Sequence, residues 1–211
     1  TIMNRYKIVS FVLAVALLAA LARLAVTGRE ENPAPNTQET VFANILSRKS
    51  VRSYTGRPVT AGQGDTLLRA AMAAPSGRDM RPWKFVVVDD KSVLDTLRRL
   101  LPYAKMLDQA PLAIAVCGDL SITDDKGNPS TNWTFDCSAA TENLLLAAEA
   151  MGLGAVWTGV YPYEERLTAV KTALGLPAHI VPLNVIPIGW PANQPLPKDK
   201  YDENNIRHNK W

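Results

Sequence analysis

The sequence has little with which to hold a metal. It contains two cysteines and two histidines, and Cys117 and Cys137 lack CxxC spacing, which argues against a zinc centre. Cys117 lies in the apolar run LAIAVCGD and Cys137 opens FDCSAATENLLLAA. Both read as small buried residues, with a disulfide between them as the alternative. A strong excess of charge is also missing. The formal net charge is +3 and the basic residues are scattered, so no nucleic-acid partner is expected. Internal repeats and low-complexity segments are lacking too, which excludes a solenoid.

What the N-terminus does have is a long uncharged run. Arg5 and Lys7 precede Ile8 to Ala22, and Leu24 to Val26 follow Arg23. As a helix, Ile8 to Val26 would reach about 28 Å, close to the thickness of a bilayer core. Basic residues before an apolar stretch form the secretory pattern. Residues 1–26 are therefore expected to be a signal peptide, cut after Ala20-Leu21-Ala22, or a transmembrane signal anchor, the second being favoured. Either predicts an exported, periplasmic or membrane-anchored protein with its domain outside the cytoplasm. Residues 27–38, TGREENPAPNTQ, read as a linker, and residues 39–211 as one domain.

Within that domain helical and strand patterns alternate. Val41, Phe42, Ile45 and Leu46 have helical spacing. Thr60 is placed to cap a helix with Leu67, Leu68, Ala71 and Met72 inward. KFVVVDD, LAIAVCGD, GAVWTGVY and IVPLNVIPIGW read as four strands. The prolines of the last predict an edge position or a bulge. Asn132 to Ala150 is apolar on nearly every face and predicts a buried central helix. YEERLTAVKTALG predicts an amphipathic helix stopped by Gly175. Two helices precede the first strand, so the layout is α+β with a sheet covered on both faces.

Three constellations could carry chemistry. SRKSVRSY places Arg48, Lys49 and Arg52 around Ser50. Clustered cations repel unless an anion sits among them, and the arginine fork fits a phosphate. A solvated basic turn is the plainer reading. In APSGRDMRPW, Pro75, Ser76 and Gly77 end a helix and open a loop whose backbone N–H groups can approach a flat ring; the plainer reading is a helix-stop loop. VWTGVY and IPIGWP put glycines near strand ends, where open sheets bind ligands. Lys198 and Lys200 add cations near the C-terminus.

In this order the segments resemble the nitroreductase family of FMN-dependent oxidoreductases, from about Glu39 to Trp211. The family's Arg-Arg-Ser-x-Arg-x-Phe appears as Arg48 to Tyr54, and Ala-Pro-Ser-x-x-Asn-x-Gln-Pro-Trp as Ala74 to Trp83. The resemblance implies an intertwined homodimer. Each subunit would have a mixed or antiparallel sheet of about four to five strands flanked by helices. It implies that Arg48, Lys49, Ser50, Arg52, Lys198 and Lys200 hold the FMN phosphate and ribityl chain. Pro75, Ser76, Gly77 and Asp79 would serve the flavin of the partner subunit, and Thr158 and Gly159 would approach flavin N5. NAD(P)H or another donor and a small aromatic acceptor, such as a nitroaromatic or quinone, would exchange on the flavin, with no protein acid or base. A membrane-attached electron-transfer or flavin-binding subunit is the alternative. Two positions depart from the pattern: Asp79 stands where Asn is usual and Arg81 where Gln is usual. In an extended loop their side chains would share a face and pair.

Overall fold

Strand β2 (Leu112–Asp119), buried at every position, shows how the chain makes its core. The computed structural model describes residues 11, 13–19 and 37–211. Contacts divide the chain into two units, Thr1–Val41 and Phe42–Trp211. In the first, residues 11 and 13–19 are helical and exposed; most of the apolar run assigned to a leader or anchor, and most of the linker, lie outside the described residues. Among the described residues no helix is long and apolar enough to cross a membrane.

Helix α1 (Thr37–Ser47) begins two residues before the expected start of the domain. The remaining elements are α2 (Ala61–Met72), β1 (Trp83–Val88), α3 (Lys91–Leu100), β2, α4 (Trp133–Ala150), β3 (Gly154–Ala155), β4 (Thr158–Gly159), α5 (Glu164–Leu174) and β5 (Ile180–Gly189). Helix α2 starts at a complete capping box: the Thr60 side chain accepts from the Gln63 N–H, and the Gln63 side chain accepts from the Thr60 N–H. The Asp90 carboxylate caps α3 by accepting from the Ser92 and Val93 N–H groups. Gly175 stops α5 at φ +62°, in the left-handed region that favours glycine.

The sheet runs β1-β2-β5-β3, with β4 also paired to β5. Its pairs are all antiparallel; the mixed alternative survives only as an isolated parallel bridge between Ser50 and Ala155. The β2 side chains alternate between two cores. Ala113, Ala115 and Cys117 pack with Leu94, Leu97, Leu167 and Val170 of α3 and α5. Leu112, Ile114 and Val116 pack with Leu67, Ala71, Ala140 and Leu144 of α2 and α4. Burying each such leucine contributes about 1.5–3 kcal/mol. The two cysteines fall on opposite sides of this division and are free. The disulfide alternative therefore fails: the sheet lies between the side chains, and Cys137 donates to the Cys117 carbonyl instead. Burial pushes both thiols up to about 12.

One expectation is decided between its alternatives and two are corrected. Of the two readings of its prolines, the bulge holds and the edge does not: β5 is central, and its prolines fall where the ladder is interrupted. Asn184 faces Val116 and Pro182 faces Cys117, leaving Leu183 as the bulged residue. Pro187 lies opposite the gap between β3 and β4. GAVWTGVY is accordingly two short strands parted by Val156 and Trp157. Lastly, Met72 of α2, expected inward, is exposed, and Val41, Phe42, Ile45 and Leu46 of α1 are exposed as well.

Candidate functional site

Helix α4 organises both motifs through three carboxylates. At the first motif, Val51 and Tyr54 turn inward while Ser50 and Arg52 stay exposed. The Val51 N–H donates to the Ala155 carbonyl at 3.0 Å. Val51 packs so closely on Gly154 that a Cβ there would lie 2.6 Å from Cγ1. The Tyr54 hydroxyl lies 2.8 Å from the Val51 carbonyl and 3.0 Å from that of Pro187, and burial raises its pKa above the usual phenol range. This inward pair ties down the backbone that carries the outward pair. Arg48 Nε lies 3.1 Å from Glu142 and Lys49 Nζ 2.7 Å from Glu149.

Arg48 also lines a pocket of about 540 Å³ with Ile45, Leu46, Lys198, Asp199 and Lys200. Three of the predicted cations thus meet, although the C-terminal pair is far away in sequence. Ser50 and Arg52 are outside this lining, and Lys49 is turned to Glu149. Among the described residues, no carboxylate lies within ion-pair distance of Arg52.

The second motif is a strained loop tied down by side chains. Arg78, Asp79 and Arg81 have φ of +56°, +55° and +47°, a conformation costly for residues with a Cβ. The Gly77 N–H donates to Asp136 Oδ1 at 2.9 Å, and the Arg81 N–H to Ser76 Oγ at 3.0 Å. Arg78 pairs with Asp124 of the loop after β2. Asp124 also accepts from the Asn128 N–H at 2.8 Å and the Lys126 N–H at 3.0 Å.

Asp79 and Arg81 do form a two-pronged pair, with Arg81 Nε 2.7 Å from Oδ1. The hydrogen bond from Arg81 holds the Asp79 carboxyl below its usual range, and raises Arg81 in turn. The route differs from the extended loop expected. Left-handed backbone, which Asp and Asn tolerate best, brings the two side chains together, and both are exposed in the single chain.

Thr158 is buried in β4, which pairs through Thr158 with Val185 and through Gly159 with Asn184. The Gly159 carbonyl accepts from Arg166 at 3.0 Å. Two buried acceptors near these segments have no partner among the described residues, Asp136 Oδ2 and Asn184 Oδ1.

Sequence reasoning missed the anchoring roles of Asp136, Glu142, Glu149, Asp124 and Arg166. The first three did leave a signal, as the acidic residues of an otherwise apolar helix. Asp136 and Glu149 stand about 20 Å apart along the α4 axis, at 1.5 Å per residue. One chain therefore anchors its second motif at the start of α4 and its first motif further along.

The nitroreductase family profile matches residues 45–106 and 98–190. A protein of Methanothermobacter thermautotrophicus, provisionally named an NADH dehydrogenase/NAD(P)H nitroreductase, is 43% identical over 171 residues, 81% of this chain and 87% of the relative. A Parabacteroides distasonis crystal structure under the same provisional name has 53% identity and a TM-score of 0.77, covering 82% of this chain and 99% of that one. The solved FMN-dependent nitroreductase of Clostridium difficile has 27% identity and a TM-score of 0.73, covering 81% and 99%. Fold and sequence agree: the chain belongs to the nitroreductase family.

Proposed function

We propose that this protein is an FMN-dependent oxidoreductase working as a homodimer. It takes reducing equivalents from NAD(P)H or another donor and passes them to a nitroaromatic, a quinone or a similar small aromatic acceptor. The observation that carries this reading is the meeting of Arg48, Lys198 and Lys200 in one pocket, with the Pro75–Gly77 loop anchored at the other end of α4.

The residues present fit a phosphate-bearing group. The three cations outnumber Asp199 in the pocket lining. Arg48 offers a planar fork and the lysines mobile point charges. Arg52 and Ser50 lie outside that lining but are exposed, available to a phosphate or a polyol chain. FMN, when bound, supplies the hydride-accepting and hydride-donating chemistry. The protein's part is position and field. Thr158 and Gly159 offer backbone paired to β5 in a short strand. Pro75, Ser76, Gly77 and Asp79 of a second copy close the site from the other side. The exposed apolar residues of α1 support that second copy, since a stable monomer rarely leaves such a patch open. No side chain is assigned as acid or base.

Titration of the apoprotein with FMN tests the reading. Arg52→Ala should weaken binding by about 1.5–3 kcal/mol, the contribution of one charge-assisted bond. A wild-type protein that binds no FMN, or that never oxidises NAD(P)H or another donor with a nitroaromatic present, refutes it. The apolar run from Ile8 to Val26 supports a domain held outside the cytoplasm, where nicotinamide is scarce and another donor would serve. A topology assay on the intact chain, joined to a donor screen, decides that point.

A further inference from the structure

Arg166 is half-buried near the start of α5, and its contacts are unusual for an arginine that follows two acidic residues. Glu164 and Glu165 precede it, yet among the described residues no carboxylate lies within ion-pair distance of its guanidinium. Instead the guanidinium carbon lies 4.0 Å from the centre of the Tyr163 ring and 5.4 Å from that of Tyr103. Its Nη1 donates to the Gly159 carbonyl at 3.0 Å. Tyrosine faces hold a cation without neutralising it, so the bond to that carbonyl comes from a fully charged donor.

The carbonyl has need of it. Strand β4 is only two residues long, and Gly159 has no side chain to lock it. Beyond it the Val160 and Tyr161 N–H groups share one acceptor, the Leu183 carbonyl, at 3.0 and 3.1 Å. The Arg166 bond fixes the other side of the same peptide unit.

We infer that Arg166 is a positioning residue that holds the Thr158–Gly159 backbone, through the Gly159 carbonyl, in the place from which it meets the cofactor. The second half of this inference rests on the FMN reading above. Beside Arg166, Tyr103 and Tyr163 an open cavity of about 610 Å³ gives small solutes access to the guanidinium position.

Two measurements on the full chain test it. In the apoprotein, Arg166→Met should speed amide hydrogen exchange at Gly159–Tyr161 by about tenfold, with exchange in β2 unchanged. FMN titration of the same variant should show binding about tenfold weaker and a displaced visible absorption band. Arg166→Lys should recover part of both, and millimolar methylguanidinium should recover them in Arg166→Ala. Unchanged exchange in Arg166→Met overturns the inference. Faster exchange with wild-type FMN affinity and spectrum overturns the cofactor half. If the wild type binds no FMN, the functional reading fails, and the exchange result still decides the hold on Gly159. Should Arg166→Met not fold, Tyr163→Leu, which keeps the arginine and removes its nearer ring, should move the same readouts by a smaller factor, and no movement overturns the inference.

Discussion

Asp79 and Arg81 show how one loop can change its chemistry and keep its shape. Both positions lie in left-handed backbone, and the pair binds the two side chains over it. The pair is exposed in the single chain, so burial there gives it no leverage; its effect is expected where a second copy brings a cofactor against it. Asp79→Asn should weaken FMN retention by leaving Arg81 unpaired, and adding Arg81→Gln should restore it. Bound FMN per subunit in the two singles and the double measures this, and additive losses would show that the positions act independently. A second residue-scale effect concerns acid. Hydrogen bonds from Asn128 hold the Asp124 carboxyl below its usual range. Burial would raise Asp119, but bonds from Ser121 and the charges of Lys84 and His179 outweigh it and leave the carboxyl lowered. A depressed folded-state pKa means stability fully present above about pH 4, the unfolded carboxylate range, and lost as pH falls through the folded value. Denaturation midpoints should therefore drop in acid, and Asp124→Asn should flatten that drop.

At the scale of elements, glycines and carboxylates set the close approaches. Gly154→Ala would drive a methyl into Val51, the residue that seats the first motif on β3. We expect a loss of about 1–3 kcal/mol from overpacking, with FMN binding weakened at the same time; chemical denaturation and titration of one variant read both. Gly175→Ala meets no neighbour and should cost only the left-handed backbone, about 1–2 kcal/mol. Elements of this kind were legible in the sequence where the signal is local. The Thr60 cap, the Gly175 stop and the alternation of helix and strand all follow from residues a few positions apart. The central place of β5 was not legible. Pro182 and Pro187 read as marks of an edge or of a bulge, and only pairing with β2, β3 and β4 shows that one sits at a bulge and the other opposite a gap. The site divides similarly. The cations of SRKSVRSY and the prolines and glycine of APSGRD stand out as strings. The pairing of Lys49 with Glu149, or of Arg166 with the Gly159 carbonyl, depends on residues brought together by the sheet.

On the scale of the whole molecule, the proposed homodimer would be built on the apolar face of α1. Phe42, Ile45 and Leu46 remain exposed beside the pocket of Arg48 and Lys198. Leu46→Asp should leave a lone subunit folded, shift the sedimentation of residues 39–211 from dimer to monomer, and release the flavin. A flavin-loaded monomer in the wild type would sink the dimeric reading. The order of the strands has a consequence for how the molecule is made. β5 is the last strand to leave the ribosome, yet it lies between β2 and β3. Until residue 189 emerges, β2 keeps one unpaired edge for on the order of several seconds, at the usual pace of translation. Its LAIAVC run is then the part of the nascent chain most open to chaperones and to mispairing. Slowing translation between Asp119 and Ile180 should raise aggregation in the cell, without altering the stability of the finished protein.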